Sequence, residues 1–273
     1  MEDCVVAGVR ITHPDKIISE NPKITKEDLA LYYQKVAPRM LPYLQDRFIS
    51  EVRCPDGMDG ECFFKKHPQA DDKEYIRIPD IAGLLSEVQM NTMEFHTWGS
   101  RAVHPEQPDV MVFDLDPDEG MGLEAVRQGA KDLKGILDGL SLQSYLKTSG
   151  GKGYHVVIPF EPCADWDAFR DFAKGIVQMM EAKWPERYVS NVRKANRKGR
   201  VFVDWIRNTR GATSAAPYSV RKRERLPVSM PIAWGELGKT APDGIDMAGA
   251  VQRLRRKDPW EDFFQAGQRL KGR

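Results

Sequence analysis

A chain of 273 residues with 41% apolar and 30% charged content is long enough for one large domain or two small ones. Its composition is that of a well-cored globular protein and excludes disorder as the main state. No apolar run approaches the roughly 20 residues that span a bilayer, and "MEDCVVAGVR" carries acids where a secretory signal would be basic, so a cytoplasmic protein is expected. The net charge of +1 hides an asymmetry: residues 193–225 hold eleven Lys and Arg against Asp204 and Glu224, a local +9 against −8 elsewhere, which suggests a polyanion site.

In chain order, "VVAGVRIT" reads as a short strand followed by a turn at "HPDK". "TKEDLALYYQKVAPRMLPYL" has Thr25 as N-cap, acids in its first turn and apolar residues at helical spacing, which predicts a helix. "RFISEVRCPDG" and "ECFFKKHP" read as two strands around a Gly/Asp turn, and "DIAGLLSEVQMNTMEFHTW" as a helix running into extended chain. From Asp109 the order is strand ("DVMVFDLDP"), amphipathic helix, two strands ("LQSYLKTSG", "GYHVVIPFEP"), long helix and strand ("GRVFVDWIRN"). This β-α-β-β-α-β order is the split arrangement also used by RNA-recognition folds, and the expected class is α/β (α+β) with a mixed central sheet. The expected organisation is an N-terminal lobe over about residues 1–108, a catalytic lobe over 109–235 and a helical tail over 236–273. Cys4, Cys54, Cys62 and Cys163 form no C-x-x-C pair and are expected as buried or incidental thiols.

Three features carry chemistry. Asp114 and Asp116 close an apolar strand two residues apart, so both project from one face while Leu115 enters the other. Two carboxylates that near repel unless a cation, a proton or a partner offsets them, and the pair makes a hard, oxygen-lined corner suited to Mg²⁺ or Mn²⁺; D-x-D pairs also flank turns. "TSGGKGYHV" sets Gly150, Gly151 and Gly153 between two strands with Ser149, Lys152 and His155 as donors for phosphate oxygens, although its spacing is not that of a Walker A loop. Asp204 sits in an apolar strand with Arg207 three residues on, a place that demands a pairing, a hydrogen bond or a metal. Together these suit phosphoryl or nucleotidyl transfer to a polyanionic substrate.

"DLDP", "SGGKGYH" and "VDWIRN", in this order, resemble the archaeo-eukaryotic primase superfamily and, closely, the polymerase module of bacterial DNA ligase D. "FFKKHP", "HTWGSR" and "THPDK…TKEDLALYY" extend the resemblance from about residue 10 to 260. It implies a primase-polymerase fold and a repair polymerase of non-homologous end joining that fills gaps and extends 3′ ends. Such an enzyme prefers ribonucleotides, uses two Mn²⁺ or Mg²⁺ ions and works with Ku and a ligase on DNA bearing a 5′-phosphate. By resemblance, Asp114, Asp116 and Asp204 would be the catalytic, metal-binding triad. Ser149, Lys152, His155, Arg207 and Arg221 would meet the incoming triphosphate, with His96 near the sugar. Phe63 and Phe64 would stack on template bases, Lys16 and Lys26 would grip the downstream 5′-phosphate, and Arg197 would contact DNA. His13 stands where the family has asparagine.

Alternatives are a primase that starts chains de novo, a metal-dependent nuclease, and a non-catalytic nucleic-acid-binding module. The last leaves three strand-borne aspartates unexplained, because carboxylates repel phosphate. There is no K-x-D-G ligase motif and no room for ligase or phosphoesterase modules, as in an excised domain or a separately encoded polymerase.

Overall fold

The computed structural model describes residues 3–68, 73–193 and 197–270. They pack as two compact units. One comprises Met1–Trp98, Ala215–Met230 and Ile245–Lys257, and the other Gly99–Ser214, Pro231–Gly244 and Asp258–Arg273. The chain therefore returns to the first unit twice, an interleaving that a division into consecutive stretches does not anticipate. Lys194, one of the eleven basic residues, lies outside the described residues.

The first unit opens with a hairpin, β1 (Cys4–Val6) and β2 (Val9–Ile11), where one strand was expected. Ala7 and Gly8 turn the chain with φ of +45° and +84°, the double positive φ of a two-residue hairpin turn. A second hairpin, β3 (Ile17–Glu20) and β4 (Lys23–Thr25), leads into α1 (Lys26–Leu44). Thr25 caps α1 in a reciprocal box with Asp28, and Leu29, Tyr32, Tyr33, Val36 and Met40 form its buried face, as their spacing requires. Next come β5 (Arg47–Arg53), β6 (Phe63–Lys65), α2 (Ile81–Gln89) and β7 (Thr92–Arg101). Cys54 and Cys62 are disulfide-bonded across the β5–β6 connection, which corrects the expectation of incidental thiols for this pair.

The second unit is built on β8 (Val110–Pro117), α3 (Leu123–Gly139), β9 (Tyr145–Thr148), β10 (Tyr154–Pro159), α4 (Trp166–Lys183), β11 (Tyr188–Val189) and β12 (Val201–Asp204). After it come β13 (Thr213–Ala215), β14 (Pro231–Ile232) and α5 (Met247–Arg253). Two sheets dominate, ordered β13-β7-β5-β6 and β11-β12-β8-β10-β9-β14. The inner order β12-β8-β10-β9 is the topology the β-α-β-β-α-β succession implies, with β8 central. Leu115 points at α3, since a Cβ built on Gly129 would meet its side chain at 3.3 Å; Asp114 and Asp116 therefore project from the opposite face.

The tail is not the continuous helix expected over 236–273: among the described residues only α5 and a 3₁₀ turn at Phe263–Gln265 are helical beyond a short turn at Trp234–Glu236. Tertiary anchoring replaces local order there. Trp260 and Phe263 stack at 4.9 Å, both meet Tyr145, and the Trp260 indole donates to the Leu146 carbonyl. No helix among the described residues is long and apolar enough to cross a membrane.

Candidate active site

Strand register alone assembles the centre of the second unit. Asp204 on β12 lies opposite Asp114 on β8, Asp114 opposite His155 on β10, and His155 opposite Lys147 on β9. Directly opposed residues share a face, so Lys147, His155, Asp114 and Asp204 form a row across four strands on the side away from α3, with Asp116 beside it. His155 Nδ1 meets Lys147 Nζ at 2.8 Å, and its Nε2 lies 3.5 Å from Asp114 Oδ1. Arg207 bridges the acids, 3.2 Å from Asp204 and 3.7 Å from Asp114, and Arg197 reaches Asp116 at 3.1 Å.

Burial pushes Asp114 up, but His155, Arg207 and Lys147 outweigh it and hold its carboxyl down at about 2. Asp116 and Asp204 are shifted the other way: burial raises both, the Asp114 charge adds to it, and Arg197 and Arg207 offset only part. The side-by-side aspartates are thus balanced here by a histidine and two arginines. Among the described residues no three acidic, His or Cys side chains converge as a metal cage would. The donor set is nonetheless three carboxylates on one sheet face, the hard oxygen chemistry that Mg²⁺ and Mn²⁺ take, with guanidinium groups in the position of the counter-charge.

The glycine-rich loop is shaped by its own chain. A Cβ at Gly153 would come within 1.9 Å of the Leu115 carbonyl, so only glycine lets β10 begin this close to β8. Gly150 has φ +67° and donates to the Pro242 carbonyl, while Gly151 donates to Ser149 Oγ. These two amides, expected to face a ligand, are engaged internally. Lys152 is exposed, and its charge acts on Asp116.

Two members of this centre were missed. Lys147, only 2% exposed, has no motif to mark it in "YLKT". Asn208, the last residue of "VDWIRN", clamps β8 by accepting from Val112 N–H and donating to Val112 C=O, both at 2.8 Å, and so holds the turn that carries Arg207.

In the first unit, Phe63 and Phe64 stand on β6, at the sheet edge, and both are exposed, at 45% and 66%. Phe64 packs edge-on against His96, ring centroids 5.7 Å apart. His96 binds Glu94 at 2.8 Å, and Glu94 also takes hydrogen bonds from Arg221 (2.9 Å) and the Lys222 amide (2.5 Å). Glu94 is the third residue the sequence reading missed. Phe63 lines a cavity of about 720 Å³ together with His13, Lys16, Lys26 and Arg53. Lys26 is buried, donates to the Thr12 carbonyl, and is lowered by burial and by the Lys16 charge; Lys16 donates to the Pro55 carbonyl. Neither lysine is a free surface charge. His13 has φ +52°, a conformation that asparagine also tolerates.

In the basic segment, Arg197, Arg207, Arg210 and Arg221 each pair with an acid, namely Asp116, Asp204, Glu106 and Glu94. Arg193, Lys198, Arg223 and Arg225 of the same segment are exposed.

Residues 25–260 match the LigD primase-polymerase domain family. The chain belongs to that family. It is 38% identical to the multifunctional non-homologous end joining protein LigD of Pseudomonas aeruginosa over 97% of its own length and 34% of that protein's. It is 30% identical to the bifunctional LigD of Bacillus subtilis, over 94% of this chain and 44% of the relative. The chain thus spans about a third to under a half of the length of these relatives. It is also similar to the polymerase domain of Mycobacterium tuberculosis ligase D, solved in complex with DNA, at 27% identity and a TM-score of 0.86, covering 94% of this chain and 98% of that one. A mixed α/β LigD polymerase-domain fold is therefore established.

Proposed function

We propose that this LigD-family chain is a template-directed nucleotidyltransferase of non-homologous end joining, filling gaps and extending 3′ ends with ribonucleotides preferred over deoxyribonucleotides. The observation that carries the reading is the row of Lys147, His155, Asp114 and Asp204, with Asp116 beside it, on one sheet face.

In this reading Asp114, Asp116 and Asp204 hold two Mn²⁺ or Mg²⁺ ions. Such ions, when bound, activate a 3′-hydroxyl and neutralise the leaving pyrophosphate. Arg207, beside Asp204 and Asp114, would meet the triphosphate alongside Ser149, Lys152, His155 and Arg221. Arg197, expected on DNA, belongs instead to this centre, because its guanidinium lies on Asp116 and over the Phe202 ring at 3.8 Å. His96 takes the sugar side, Phe63 and Phe64 stack on template bases, and Lys16 and Lys26 hold the downstream 5′-phosphate. The two lysines, ten residues apart in sequence, line one cavity with Phe63, which supports the last assignment. Ku and a DNA ligase are the partners, and the cytoplasmic nucleoid is the place of work.

The test is primer extension on a gapped duplex with a downstream 5′-phosphate, comparing NTP with dNTP in Mn²⁺. Template-directed addition that favours NTP and is enhanced by the 5′-phosphate is expected. A chain that binds the duplex but adds nothing overturns the proposal.

A further inference from the structure

Lys147 lies in a strand whose four residues are all buried, a costly place for an ammonium group. Its neighbour across the pairing is His155, and its Nζ meets His155 Nδ1 at 2.8 Å. An ammonium group has three donors and no acceptor, so the ring nitrogen facing it must accept. A neutral imidazole accepting at Nδ1 carries its proton on Nε2, and Nε2 is the nitrogen on the Asp114 side of the ring.

We infer that Lys147 is a positioning residue that fixes His155 as its Nε2–H tautomer and so presents a hydrogen-bond donor to an anionic oxygen at the sheet face. Resting on the function proposed above, that oxygen belongs to the nucleotide triphosphate. Lys147 cannot reach the ligand itself, being 2% exposed and behind the ring. Its charge also helps to hold Asp114 ionised, and Asp114 beside Nε2 favours the same tautomer, so the share that belongs to the lysine is read by removing it.

Long-range ¹H–¹⁵N correlation of the labelled full chain at mildly alkaline pH, without metal, reads the tautomer directly. Lys147→Met preserves the shape of the side chain and removes its donors, and Lys147→Arg keeps a side chain that only donates; His155→Gln assigns the resonance among the five histidines. The wild type should show a single Nε2–H form, Lys147→Met a mixed or Nδ1–H form, and Lys147→Arg the wild-type form. In gap filling, Lys147→Met should raise KM for NTP about tenfold with a much smaller change in kcat, and Lys147→Arg should recover most of it. A wild type in the Nδ1–H form, or a Lys147→Met variant with the wild-type pattern, overturns the inference. If Lys147→Met fails to fold, Lys147→Gln, whose amide can accept as well as donate, takes its place, and a wild-type tautomer pattern in that variant overturns the inference. A wild type that adds no nucleotide sinks the polymerase reading instead, and the spectrum still decides what Lys147 does.

Discussion

Glu51 and Glu94 stand on neighbouring strands of one sheet, β5 and β7, both removed from solvent, and their carboxyls are driven in opposite directions. Burial raises Glu51 to about 8; the nearby Glu87 adds to the shift, and Lys65, 3.6 Å away, offsets only part of it. Neither oxygen of Glu51 has a hydrogen bond of normal geometry, so protonation of Glu51 relieves the repulsion. Burial also acts on Glu94, but His96, Arg221 and the Lys222 amide outweigh it and hold the carboxyl at about 2. A buried acid is therefore not a functional signal by itself: what decides its state is whether donors from elsewhere in the fold converge on it. Asp114 is built like Glu94, with His155, Arg207 and Lys147 around it. An acid kept ionised can exchange its counter-ions for a cation, whereas a protonated one cannot.

The largest effect should come from neutralising the ionised acid at the centre. Asp114→Asn keeps the shape and removes the charge, and we expect nucleotide addition to fall by about a thousandfold or more while the melting curve and duplex binding survive. Substantial activity in that variant would remove Asp114 from the chemistry. Next in size is the loss of the donor that keeps Glu94 charged. Arg221→Met leaves a buried carboxylate short of a charged partner and should cost about 3 kcal/mol in urea unfolding. The double variant Arg221→Met/Glu94→Gln should recover most of that. If the double variant is as unstable as the single, the ion pair is not the cause.

What the sequence could reveal of this follows the range of the interactions. Asp114 and Asp116 were legible because a strand's two-residue period is local, and the split β-α-β-β-α-β order followed from periodicities within single elements. The N-cap at Thr25 is equally local, and it forms as read. Lys147 was not legible: its meaning lies in a pairing register with His155, and "YLKT" carries no trace of it. The Glu94–Arg221 pair joins residues 127 apart, which no window along the chain can see. The tail was misjudged for a related reason: its apolar residues suggested a helix, but Trp260 and Phe263 gain more by packing on Tyr145 than a short helix would supply.

A third measurement sharpens the contrast between the two glutamates through pH. Glu51 is protonated when folded up to about pH 8 but ionises near 4.5 when unfolded, so folding binds a proton between those values. Its contribution is complete below about 4.5 and declines as pH rises toward 8, at up to about 1.4 kcal/mol per pH unit. Glu94 runs the other way: its contribution is present above about 4.5 and lost as pH falls toward 2. Glu51→Gln should flatten the upper decline and leave the acid limb unchanged. A wild-type stability curve that is flat from 5 to 8 on the pH scale would contradict a Glu51 that is protonated in the fold.

The smallest effects should separate the two faces of β6. Phe63 and Phe64 are neighbours on an edge strand and point to opposite sides, Phe63 lining the cavity with Lys16 and Lys26 and Phe64 lying against His96. Both are exposed, so truncating either should change stability by less than about 0.5 kcal/mol. Duplex affinity is a different matter, because a base stacked on an aromatic ring is worth about 1–3 kcal/mol. If Phe63 serves the 5′-phosphate cavity, Phe63→Ala should lower affinity for the gapped duplex only when the downstream phosphate is present. Phe64→Ala should lower it with or without that phosphate, and should narrow the preference for NTP over dNTP, since the ring that braces His96 is gone. Equal losses in all four comparisons would mean that the two rings act as one apolar patch, and that the division of roles between the faces of β6 is wrong.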